Sequence, residues 1–132
     1  MRAVQIAQRA EDLARATAFY TELLGTPPVA SFDPPGLVFF DLEGQRLLLE
    51  RGAPSALHYF LVDDIEATVS RLRATGTPVE SEPHIIFTHR NDTLGPDGTD
   101  EVQAFVRDTE GNLVGLVQHR PCQPTVGTTT DE

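Results

Sequence analysis

Covalent cross-linking is closed to this chain, which carries one cysteine, Cys122, in 132 residues. A single thiol cannot close an internal disulfide. Packing must therefore hold the fold, and a reducing, cytoplasmic setting is the expectation. Cys122 stands in a Pro-Cys-Gln-Pro stretch of a polar tail, which is no setting for an activated thiolate. Basic charge is also scarce: 10 Lys and Arg face 20 Asp and Glu, for a net charge of −10. That balance opposes binding to phosphate backbones and anionic membranes, so neither nucleic acid nor a membrane is an expected partner. The sequence opens without a basic segment followed by an apolar stretch, so no secretory signal is expected. Its apolar runs are far too short to span a bilayer.

What is present is an internal repeat, within a length that suits a single domain. Val4 to Gln8 and Ala56 to Phe60 are both strand-like. Each leads to an Asp followed by an apolar residue, Asp12-Leu13 and Asp64-Ile65. Each continues with apolar residues at helical spacing: Leu13, Ala16, Phe19 or Tyr20 and Leu23 in one, Ile65, Val69 and Leu72 in the other. Both helices should stop at Gly-Thr-Pro, Gly25-Thr26-Pro27 and Gly76-Thr77-Pro78, where glycine accepts a left-handed helix end and proline blocks continuation. Asp63 with Glu66 resembles a capping box. A hairpin with an Asp-x-Glu-Gly turn follows in each half, at Asp41 to Gly44 and Asp108 to Gly111. The fold class is therefore α+β, with two βαβββ modules forming a curled, barrel-like mixed sheet and helices outside. The modules should span about 1–53 and 54–120, ahead of a flexible tail at 121–132 rich in Thr, Pro and Gly.

The halves differ in length. Sixteen positions separate the helix-stop glycine from the turn aspartate in the first half, and thirty-two in the second. The surplus amounts to roughly one extra hairpin of chain. It contains Asn91 to Gly98, a loop composition, which is either a functional loop or a surface excursion.

The repeat, the segment Asp12 to Tyr20 with Leu23-Leu24-Gly25, and the turn Asp108-Thr109-Glu110-Gly111-Asn112 resemble the vicinal oxygen chelate superfamily. Its members include glyoxalase I, methylmalonyl-CoA epimerase, extradiol dioxygenases, and fosfomycin and bleomycin resistance proteins. The resemblance covers about residues 3 to 119. It implies a cup holding a divalent metal, with one ligand from the first and one from the last strand of each half. Those positions are Gln5, Leu48, Leu57 and Gly115 in this sequence. Only Gln5 offers a ligand atom, so the usual site is expected to be absent or displaced. The resemblance also implies that Arg9 can meet an anionic substrate group; it could instead be a surface charge entering the first helix.

Strand alternation supplies the remaining candidates. Gln5 shares a face with Ala7 and Arg9, Leu48 with Glu50, and Leu57 with Tyr59 and Leu61. His84 follows Pro83 on the first strand after the second helix, and Glu101 and Gln103 follow on the next. His89 is an odd number of residues from His84 and should point away from it unless a bulge intervenes. His119 is expected at a strand end, uninvolved. Gln5, Glu50 and His84 could hold a displaced metal or act as an acid–base set without one. Glu50 could instead be a solvated carboxylate beside Arg46 or Arg51, and His84 a structural histidine. Substrate contacts would come from Gln5, Arg9, Leu48, Leu57, Tyr59 and Glu101.

Two functional classes remain. The first is an isomerase- or lyase-type enzyme moving a proton next to a carbonyl, with Glu50 or His84 as base. The second is a metal-free protein that sequesters a small molecule against the leucine wall of Leu48, Leu57 and Leu61. A homodimer is expected in either case.

Overall fold

The computed structural model describes residues 3–122. The first module runs β1 (Gln5–Arg9), α1 (Leu13–Leu24), β2 (Ala30–Phe32), β3 (Leu37–Asp41), β4 (Arg46–Glu50). The second repeats it as β5 (His58–Leu61), α2 (Ile65–Ala74), β6 (Val79–His89), β7 (Thr99–Arg107), β8 (Leu113–Pro121). Each module forms a four-stranded mixed sheet, in the orders β1-β4-β3-β2 and β5-β8-β7-β6. The first and last strands of each module pair in parallel, and the other pairs are antiparallel. This is the doubled βαβββ plan read from the repeat.

Both helices start where an Asp side chain can satisfy an orphan backbone N–H. Asp12 accepts from Arg15 N at 3.0 Å and Asp64 from Ala67 N at 3.1 Å. The second cap is thus Asp64, not Asp63, and Glu66 pairs instead with Arg120 at 2.9 Å. Helix α1 ends on Gly25 at φ 73°, whose N–H bonds to Thr21 O. The apolar stripes Leu13, Ala16, Phe19, Tyr20, Leu23 and Ile65, Val69, Leu72 are buried, and they join one face of each sheet in a single core cluster. Fully buried side chains such as Leu72 and Leu116 each contribute about 1.5–3 kcal/mol over an exposed position.

The surplus chain of the second half does not form another hairpin. It lengthens β6 to 11 residues and β7 to 9, against 3 and 5 for β2 and β3, and supplies the loop at 90–98. A two-stranded extension keeps the added backbone paired, which a separate excursion would not.

The turn after β7 clasps the two modules. Asp108 accepts from the N–H groups of Glu110 and Asn112 through Oδ1, and from Tyr20 Oη at 2.7 Å and Asn112 Nδ2 through Oδ2. Asn112 also donates to Arg9 O at 2.8 Å. Glu110 accepts from the N–H groups of Glu11 and Asp12 and from Arg15. A carboxylate at the start of α1 meets the positive end of the helix dipole there. The fully buried Gln8 exchanges two 3.0 Å hydrogen bonds with Ala56, pinning the chain between the modules. Of the tail expected at 121–132, Pro121 still belongs to β8 and Cys122 N–H bonds to Gly98 O, because the lengthened sheet carries the chain that far; the rest lies outside the described residues.

Candidate functional site

One face of each sheet is covered by its helix, and the opposite face is open. Strand register decides which residues share the open face. In the first sheet Ala7 lies beside Leu48 and Arg9 beside Glu50. Leu47 and Leu49 enter the core, so Gln5, Ala7, Arg9, Leu48 and Glu50 share the open face, as alternation predicts. Gln5 and Glu50 sit at opposite ends of the β1–β4 pair, four strand positions or roughly 13 Å apart. Gln5 Oε1 accepts from Arg46 Nε at 2.9 Å. Arg9 pairs with Glu11 at 2.9 Å. Arg51 donates to Glu11 O, so the two arginines near Glu50 in sequence both bond elsewhere. Gln5 and Glu50 are thus too far apart to share one ion, so the structure does not bring Gln5, Glu50 and His84, the last on the edge strand of the other sheet, to one point.

In the second sheet Tyr59 pairs with Gly115, and Gly115 with Phe105. The Tyr59 ring lies directly over Gly115, where an added Cβ would come within 2.7 Å of Tyr59 Cδ2. Tyr59 also packs edge-on against Phe105 at 5.8 Å between ring centroids. An aromatic ring therefore fills the space above the last-strand position where the resemblance implies a metal ligand. With Leu48 and Leu57 at two more of those positions, the residues present do not fit a metal there. Leu57 is 43 % exposed, Tyr59 52 % and Leu61 69 %, leaving an apolar surface at this edge.

Further along the same face the chemistry changes. Along β7, Asp100, Val102, Ala104 and Val106 are buried, so Glu101, Gln103 and Phe105 point to the open side. His84 pairs with Gln103, Phe87 with Glu101 and His89 with Thr99. A register shift between Ile85 and Phe87 brings His89 onto the face of His84, against strict alternation. His84 is exposed, and its Nδ1 lies 2.8 Å from Glu82 O. A carbonyl can only accept, so Nδ1 carries the proton and Nε2 presents a lone pair in the neutral ring.

His89 Nε2 lies 2.8 Å from Glu101 Oε1, and His119 Nε2 lies 3.4 Å from the same oxygen. The two imidazole rings meet edge-on, 5.3 Å apart. Gln103 Nε2 donates to the other Glu101 oxygen at 2.7 Å. Burial alone would push the Glu101 carboxyl up, but bonds from Gln103, His89 and His119 outweigh it and hold it below its ordinary range. Among the described residues, this is the group of His, Cys, Asp and Glu whose ligand atoms converge, all within 4.8 Å of one another. Sequence reasoning placed Glu101 among the candidates but missed both histidines. His89 was hidden by the bulge. His119 was legible: it lies seven positions after Asn112, as Glu101 lies seven before Asp108, so the turn itself sets them opposite.

The remaining histidine, His58, faces the core and stays clear of this surface. It is buried against Phe60, with no hydrogen-bond partner for either ring nitrogen, and burial lowers its pKa. Cys122 donates to Asp100, which also accepts from Thr88; the bond to Asp100 raises the thiol pKa.

Solved structures share this fold. A lactoylglutathione lyase from Agrobacterium tumefaciens is 28 % identical, with a TM-score of 0.64 over 89 % of this chain and 92 % of that one. The trypanothione-dependent glyoxalase I of Leishmania major is 23 % identical, with a TM-score of 0.64 over 89 % of this chain and 86 % of that one. TioX from Micromonospora sp. ML1 is 18 % identical, with a TM-score of 0.66 over 91 % of this chain and 100 % of that one. Among curated proteins, none matches. A family profile aligns with residues 2–116, and with the doubled module and its turn it establishes that the chain belongs to the Glyoxalase/Bleomycin resistance protein/Dioxygenase superfamily.

Proposed function

We propose that the protein binds a small carbonyl compound on the open face of its second sheet and moves a proton beside that carbonyl, as an isomerase or lyase. The carrying observation is His84: its Nδ1–H is held by Glu82 O, so its Nε2 is oriented as an acceptor toward the open face. There it can take a proton from a carbon next to a carbonyl and return it to the neighbouring carbon or to a leaving group. Gln103, its cross-strand partner, sets an amide beside the developing negative oxygen. Leu57, Tyr59 and Leu61 would hold an apolar arm. From β5 to β6 is three strand spacings, roughly 14 Å, which suits an elongated metabolite. On the first sheet, Gln5, Arg9, Leu48 and Glu50 would supply further substrate contacts, with Glu50 the alternative base. No step in this scheme passes through a metal. The setting is cytoplasmic and the working unit a homodimer.

A second reading, sequestration of an apolar ligand without turnover, rests on the exposed Leu57–Tyr59–Leu61 edge. The two separate by solvent exchange. Protein in D₂O is incubated with α-hydroxy and α-keto carbonyl compounds, S-lactoylglutathione among them, and deuterium uptake is followed by NMR. Uptake that falls at least 100-fold in His84→Gln, with KM nearly unchanged, supports proton transfer. Binding of a compound with no uptake in the wild type contradicts it and favours sequestration.

A further inference from the structure

We propose that His89, Glu101 and His119 bind a divalent transition-metal ion of the zinc or iron(II) class, beneath the loop that carries Gly95. The site does not use His84, although Gln103, the cross-strand partner of His84, bonds to Glu101. It also differs from the positions implied by the superfamily, which fall on β1, β4, β5 and β8, whereas these three ligands come from β6, β7 and β8.

Three neighbouring strands aim these side chains from one face, so rigid elements fix the ligands. Ligand atoms around a tetrahedral zinc lie roughly 3.3–3.5 Å apart, given bonds of about 2.0–2.1 Å. Here one pair stands at 2.8 Å, one at 3.4 Å, and all three atoms lie within 4.8 Å of one another. Small side-chain rotations close the difference. Two imidazoles and one carboxylate select borderline metals over magnesium or calcium, which prefer all-oxygen shells. Three protein ligands leave room for a further one, as catalytic sites do.

The loop supplies the second argument. His89 is 2 % exposed although it sits on the open face of an edge strand. The covering element is the 90–98 segment. A Cβ on Gly95 would lie 2.8 Å from His89 Cε1, 2.9 Å from His89 Nε2 and 3.2 Å from His119 Nε2. Only glycine lets this backbone rest on both rings. The surplus chain of the second module is thereby spent on roofing two imidazoles and a carboxylate. A hydrogen-bonded triad that binds no metal is the competing account.

The full chain, stripped with chelator, is titrated with Zn²⁺ by calorimetry and with Co²⁺ by visible absorption, beside His89→Gln, Glu101→Gln, His119→Gln, Gly95→Ala and His84→Gln. One ion per chain is expected. Each ligand substitution should weaken affinity about 100-fold or more, beyond the 10–100-fold typical of lost supporting groups. Gly95→Ala, with every ligand intact, should weaken it at least 10-fold, and His84→Gln should leave it unchanged. Circular dichroism checks that each variant folds. The less deeply buried His119, with Gly95, keeps the test open if the His89 variant does not fold. No saturable binding, or binding indifferent to Glu101→Gln and His119→Gln, overturns the proposal in favour of the metal-free triad. Binding lost only in His84→Gln overturns it too, moving the ion elsewhere.

Discussion

His58 carries a pH dependence of its own. It is buried on the helix-covered side of β5, and desolvation lowers its pKa from the usual 6.5. As pH falls past 6.5 the unfolded chain binds this proton before the folded one does. Stability should therefore decline from about pH 6.5 down to the lowered folded value and be intact above it. Thermal melts of His58→Leu should lack this component and match or exceed the wild type at pH 7.5, since no hydrogen bond is lost. Equal acid sensitivity in both proteins would rule out His58 as its source. Tyr20 is the complementary case, a buried polar group with its partner supplied. Burial, then the Asp108 carboxylate, push its phenol pKa upward, so it stays a neutral donor.

The turn at 108–112 shows how a recognisable sequence element can be structural. Its residues carry the family likeness, yet their side chains are spent on Tyr20, Arg9 O, Arg15 and the N–H groups of Glu11 and Asp12 just ahead of α1. Glu110, 2 % exposed at its side chain, feels burial raising its pKa from 4.5, but the N–H groups of Asp12 and Glu11 and the Arg15 guanidinium bring it lower overall. Glu110→Gln turns an amide donor toward Arg15 and should cost about 1–3 kcal/mol in urea unfolding at pH 7. A depressed folded pKa means this stability is present above about pH 4.5 and lost as pH falls through the folded value. The gap between wild type and variant should accordingly close on acidification. A gap constant down to pH 3 would contradict the assignment. The helices and their ends were legible because capping and 3.6-residue periodicity are local. The outcome of the surplus chain was not, because extending a pair of strands or adding a hairpin differs only in tertiary pairing. The register shift near Ile85 was hidden for the same reason: alternation carries no mark of a bulge.

For the whole molecule, the open faces pose the main question of energetics. Leu57, Tyr59 and Leu61, together at the β5 edge, are each between 43 % and 69 % exposed. An apolar surface of that extent favours association, and a symmetric pair is the commonest closed solution. Light scattering at micromolar concentration should give twice the chain mass of 14.4 kDa, and Leu61→Glu should shift it toward the monomer. A monomer in the wild type would assign the apolar edge to ligand alone. The fold followed from the doubled pattern, and the mismatch at Leu48, Leu57 and Gly115 was readable residue by residue. What filled the gap was not, since the Tyr59 ring over Gly115 is a cross-strand contact. The metal chemistry proposed for this chain lies on β6, β7 and β8 and not at the usual positions. Anomalous diffraction at the zinc edge, from crystals of the full chain grown with equimolar Zn²⁺, tests it most directly. One peak bonded to His89, Glu101 and His119 is expected; a peak beside Gln5, or none on the protein, would rule that placement out.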